Sequence, residues 1–142
     1  METHKNTGTA PRLQSFILAD DVYIDAQTGK KVICGTFNKL WAQGMPSLLG
    51  RSTKAYLCLT GCRGKLVVGL KYVDLKDERV LLESPPVTLE WQDPLVPVEV
   101  VMDVPPLPMP HPGMYAFEAF CDGERLGVIR VTVEEVSKGD SP

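Results

Sequence analysis

Met114–Glu135 reads MYAFEAFCDGERLGVIRVTVEE, and the register of this stretch decides how the rest of the chain is interpreted. Its first half alternates Tyr115, Phe117 and Ala119 on one face. Its second half carries its strongest apolar face at Ile129, Val131 and Val133, with Val128, Arg130, Thr132 and Glu134 on the other. Asp122-Gly123 between them is a two-residue hairpin signal. A plain turn there would set Cys121 opposite Glu124, Ala119 opposite Leu126 and Phe117 opposite Val128. Phe117 and Ile129 would then lie on opposite faces, which a half-buried sheet does not tolerate. One extra residue near Leu126-Gly127 removes the conflict, and glycine is a natural bulge residue. The sequence therefore predicts a bulge there, or a longer loop with the same offset.

Working outward, apolar alternation of period two recurs about every ten residues with turn signals between, the pattern of an all-β domain. Gln14–Tyr23 suits a strand interrupted near Asp20-Asp21, and Asp25–Lys30 a turn with Gly29 at positive φ. Lys31–Phe37 follows as its partner. Ser52–Thr60 and Lys65–Val73 alternate cleanly on either side of Gly61-Cys62-Arg63-Gly64, which predicts a hairpin with Cys62 at its tip. Arg79–Glu83, then Val87, Leu89 and Trp91, then Val98, Val100, Met102 and Val104 supply three more strands. Pro105–Pro112 holds five prolines and predicts an extended crossover. The expected architecture is a single antiparallel β-sandwich of about eight strands, immunoglobulin-like or a related Greek key. It spans 13–136, between flexible tails at 1–12 and 137–142.

At 142 residues the chain suits one domain that folds without disulfide or metal. The start Met1–Asn6 is polar, no uncharged stretch suits a bilayer, and a cytoplasmic bacterial or phage-infected-cell setting with free Cys34, Cys58, Cys62 and Cys121 is expected. Residues 30–79 are rich in Lys and Arg and residues 80–142 in acids, yet the net charge is −3 and basic residues do not interleave with aromatics. Nucleic acid is therefore not expected as a partner. Basic and acidic strands lying side by side account for the asymmetry, with a bipolar, self-associating surface as the other reading.

Candidate chemistry is thin. The four cysteines lack tight zinc-knuckle spacing, and no base or helix N-terminus is evident that would lower the pKa of Cys62. Asp20, Asp21 and Asp25 lack a calcium-loop pattern and read as strand ends and turn caps. His4 and His111 sit in the tail and the crossover, away from any nucleophile constellation. Pro105–Pro108 resembles a polyproline ligand but is anchored at both ends. No enzyme activity, cofactor or metal is expected. Trp91, Tyr72, Phe117 and Phe37 fit core positions.

Asn38–Arg51 breaks the pattern. Leu40, Trp41, Met45, Leu48 and Leu49 lie among Gly44, Pro46 and Gly50 without period two. The segment reads as a crossover loop with one helical turn, either plugging an open edge of the core or forming an apolar contact patch.

Three stretches taken together are ILADDVYIDAQTGKKVICGTFNKLW (Ile17–Trp41), PMPHPGMYAFEAFC (Pro108–Cys121) and DGERLGVIRVTV (Asp122–Val133). An early Asp, a TGK turn, a Gly-aromatic strand end and a late PGxYxF strand before DGE resemble a family of small uncharacterised bacterial and phage proteins. The resemblance covers roughly 13–134 and implies a β-sandwich of unknown function with no assigned catalytic residues. The expected function is a non-enzymatic interaction module that binds a protein partner or self-associates through Leu40, Trp41, Met45, Leu48 and Leu49. The alternative is a small-ligand or carbohydrate-binding sandwich using exposed rings such as Tyr56 or Tyr23.

Overall fold

The computed structural model describes residues 11–136, so most of both expected tails, with His4, lies outside the described residues. Twelve strands run in chain order: β1 (Arg12–Ile24), β2 (Lys31–Thr36), β3 (Lys39–Ala42), β4 (Ser47–Leu48), β5 (Thr53–Thr60), β6 (Gly64–Asp74), β7 (Arg79–Glu83), β8 (Val87–Trp91), β9 (Val98–Val104), β10 (Pro108–Met109), β11 (Gly113–Cys121) and β12 (Glu124–Glu135). The expectation of about eight is corrected. Asn38–Arg51 and the proline-rich crossover each contribute short strands that no alternation in the sequence announces.

One sheet has the order β2-β1-β5-β9, a second β3-β12-β11-β6-β7 with β8 also on β6, and β10 pairs β4 in a small third. Pairing is antiparallel apart from β3, which runs parallel to β12. Ala55, Leu57 and Leu59 of β5 and Val98, Val100 and Met102 of β9 join Leu66, Val68, Leu70 and Tyr72 of β6 and Tyr115, Phe117 and Val131 in one buried cluster. The two large sheets thus share a core.

The expected hairpin between Ser52–Thr60 and Lys65–Val73 does not form. β5 pairs β1 and β9, whereas β6 pairs β11, β7 and β8 in the other sheet. The alternation of both strands is read correctly, but an apolar face looks the same whether its partner lies beside it or across the core. Gly61 and Gly64 take φ of 74° and 78° in the crossing, and Cys62 is fully buried there, not exposed at a tip.

The closing hairpin has the expected irregularity. Asp122 and Gly123 both take positive φ, Cys121 pairs Glu124, and the register shifts so that Phe120 faces Arg125 while Ala119 faces Gly127. Leu126 is the extra residue. Beyond it Phe117 pairs Ile129 and Tyr115 pairs Val131, which puts both apolar faces on the core side.

The β1–β2 hairpin holds its turn through Asp25, whose carboxylate accepts from the Gln27 and Thr28 amides and is held below the usual carboxylate range by them. Lys31, paired with Ile24, reaches Glu99 on β9 at 3.0 Å. Glu99 lies in the row of Ser15, nine residues back along β1. A straight strand would separate the two by about 30 Å. The hairpin therefore bends back toward β9, and Gly35 at φ 74° leaves room for the Asp20 carboxylate beside it. Lys54–Asp103 and Lys39–Glu134 bridge adjacent basic and acidic strands in the expected complementary way, whereas Lys31–Glu99 joins two strands that do not pair.

Candidate functional site

Among the described residues, strand β3 lies at the edge of the six-stranded sheet, with β12 pairing it on one side. Its four residues alternate. Leu40 at 4% and Ala42 at 8% exposure enter the core, while Trp41 between them is 39% exposed. The expected irregular loop is corrected to a strand here. Four residues are too few to show period two in sequence, and the pairing partner is 93 residues away, with Leu40 opposite Val133. Lys39 Nζ stands 6.0 Å from the Trp41 ring centroid and 3.4 Å from Glu134, the residue opposite Trp41.

The five expected contact residues divide. Leu49 at 8% joins Leu40 in the core, and Met45 packs partly against it. Leu48 is 60% exposed, on β4 opposite Pro108. The expected helical turn is absent, since Ser47–Leu48 pairs with Pro108–Met109 and the Leu49 amide donates to the Leu107 carbonyl at 2.8 Å. The segment both plugs the core and presents an exposed indole. Tyr56, named for the alternative reading, gives its hydroxyl to Glu99, whereas Tyr23 is 55% exposed at the bent hairpin.

A second cluster was not expected from the sequence. Asp74 is 1% exposed at the end of β6, and the His111 ring places Nε2 at 2.6 Å from its carboxylate and Nδ1 at 2.8 Å from the Pro112 carbonyl. Both partners are acceptors, so only the protonated ring, donating from both nitrogens, satisfies the two contacts at once. The Pro112 carbonyl and then Asp74 hold His111 above its ordinary 6.5. Burial would raise the Asp74 carboxyl, but the Lys76 amide and the His111 ring together keep it below the usual carboxylate range. Tyr115 stacks on the ring and donates to the His111 carbonyl. While protonated, with both nitrogens engaged, His111 has no free lone pair for general base work. A signal for this cluster existed. Asp74 continues the inward series Leu66, Val68, Leu70, Tyr72, and a carboxylate on a core face needs a partner.

Three of the four thiols are poor nucleophiles. Cys58, Cys62 and Cys121 are buried, and burial pushes Cys121 up to about 12. Among the described residues no three His, Cys, Asp or Glu side chains group as metal ligands, and no helix is long and apolar enough to cross a membrane.

The fold defines an all-β protein of stacked, mostly antiparallel sheets. Residues 14–134 match the family of unknown function DUF6941, and the chain belongs to that family. No curated protein matches it. Among solved structures it is similar to the Pseudomonas fluorescens alkylpurine DNA glycosylase AlkC, bound to DNA containing an abasic site analog. That match has a TM-score of 0.52 and 13% identity, covering 89% of this chain and 31% of the glycosylase. It is also similar to a Listeria innocua beta-glucosidase, with a TM-score of 0.50 and 14% identity over 87% of this chain and 16% of the enzyme. An immunoglobulin-like protein from Pseudomonas aeruginosa aligns over 90% of this chain and 99% of its own, at 13% identity and a TM-score of 0.39. The chain spans less than a third of the glycosylase and the glucosidase. These likenesses concern the fold and nothing of activity.

Proposed function

We propose that this protein is a non-enzymatic interaction module that docks a protein partner, or a second copy of itself, on strand β3. One observation carries the reading: Trp41 is 39% exposed on an edge strand while Leu40 and Ala42 on either side are buried. An edge strand offers unpaired backbone groups to an added strand. A tryptophan fixed at its centre is the residue type most often found to anchor an interface. The buried neighbours make the presentation rigid, which lowers the entropy lost on binding. We further read the two large sheets as the halves of one immunoglobulin-like sandwich with β3 on its rim. A cytoplasmic setting suits the four free thiols.

The test is a photo-crosslinking residue in place of Trp41, set against the same residue at Leu95, which is 89% exposed but lies in the turn before β9. Light scattering after size exclusion accompanies it on wild type and Trp41→Ala. We expect adducts from position 41 well above those from 95, to a second copy in the pure protein or to a single partner in cells. Equal adducts from both positions, together with an unchanged monomer mass in Trp41→Ala and wild type, would remove the reading.

A further inference from the structure

We propose that His111 is a pH-sensitive latch that orders the Leu40–Leu49 segment by holding the proline-rich crossover against which that segment pairs. The proposal rests on the reading of this segment as the docking site and adds a means of controlling it.

The connection is continuous in contacts. At one end the His111 ring bridges Asp74 of β6 and the Pro112 carbonyl. Tyr115 of β11 donates to the His111 carbonyl at 2.5 Å and stacks on Tyr72 at 5.4 Å between centroids. Tyr72 donates to the Pro108 carbonyl at 2.9 Å, inside the crossover. Pro108 and Met109 pair with Leu48 and Ser47, and the Leu107 carbonyl takes the Leu49 amide. Prolines supply few amide donors of their own, so the crossover depends on contacts of this kind made to its carbonyls.

The ring is the one member of this series of contacts that titrates near neutral pH. Losing a proton leaves one N–H for two acceptors, and Asp74 is too buried to take water as a substitute donor. The other charges facing the cluster are Lys76 from the turn after β6, which opposes protonation, and Arg79 of β7, which supports the Asp74 carboxylate. Asp77 acts on Tyr115. Because the folded chain favours the charged ring, the latch is closed below the ordinary 6.5 and opens as the pH rises through the raised midpoint.

Amide exchange at Leu49, followed by NMR from pH 5.5 to 9 beside the His111 ring resonance, reads the latch. Wild-type protection should fall by about tenfold as the ring titrates, the scale of one charge-assisted hydrogen bond. In His111→Gln, which keeps a donor but carries no charge, it should stay flat. Flat protection in wild type across the ring's titration, or the same fall in His111→Gln, would overturn the latch. Crosslinking from position 41 at pH 6 and pH 9 separates the two readings. Equal adducts at both pH values overturn the control and leave the docking site standing. No adduct at either pH, with Leu49 protection still titrating, overturns the docking site and leaves the latch standing.

Discussion

The closing hairpin β11–β12 and the segment Lys39–Leu49 hold apolar residues at similar density, yet they answer to different rules. In the hairpin each face is fixed by neighbours a few residues away. The Asp122-Gly123 turn sets the starting register, Leu126 shifts it by one, and Phe117 meets Ile129 as a result. In the segment the faces are fixed from a distance. Leu40 is turned inward because β3 lies beside Val133 of β12, and Leu49 because its amide reaches Leu107. Local determination buries the inward face of the hairpin and leaves Met114 and Val128 on its outer face. Remote determination leaves Trp41 and Leu48 exposed in a segment whose sequence shows no regular outer face.

Phe117→Ala breaks the comparison most severely. Phe117 is 1% exposed on a strand paired on both sides, and it packs on Tyr72 at 5.0 Å. Chemical denaturation should show a loss of about 3–5 kcal/mol. A loss below about 1 kcal/mol would mean that the hairpin's register is not what organises the core.

Gly127→Ala sharpens the comparison at the bulge itself. A Cβ at Gly127 would come within 2.5 Å of Leu13 Cδ1, the far end of a flexible side chain on the opposite sheet. The expected cost is about 1 kcal/mol, and it should vanish when Leu13→Ala is added, as a double-mutant cycle reports. Strict additivity would place the bulge somewhere other than over Leu13.

This contrast also explains what could be read in advance. The inward sets of β5, β6, β8, β9 and the closing hairpin follow from alternation, as does the bulge near Gly127. The sheet to which β5 and β6 belong does not follow, since side-by-side and face-to-face partners impose the same period. β3 and β4 are too short to show any period, and their partners, β12 and β10, are remote in sequence. The edge position that exposes Trp41 is a property of topology, so the sequence could point to an apolar segment without sorting its buried residues from its exposed ones. The Asp74–His111 pair is an intermediate case. The inward place of Asp74 was legible in the even-numbered series of β6, while its partner arrives from a proline-rich stretch 37 residues later.

The central claim is that β3 buries Leu40 and displays Trp41, and matched denaturation of Leu40→Ala and Trp41→Ala tests it most directly. Leu40→Ala should lower stability by about 2–4 kcal/mol. Trp41→Ala, though it removes the larger side chain, should lower it by about 1 kcal/mol or less. The reverse order, with Trp41 the costlier loss, would place the indole in the core and contradict the account.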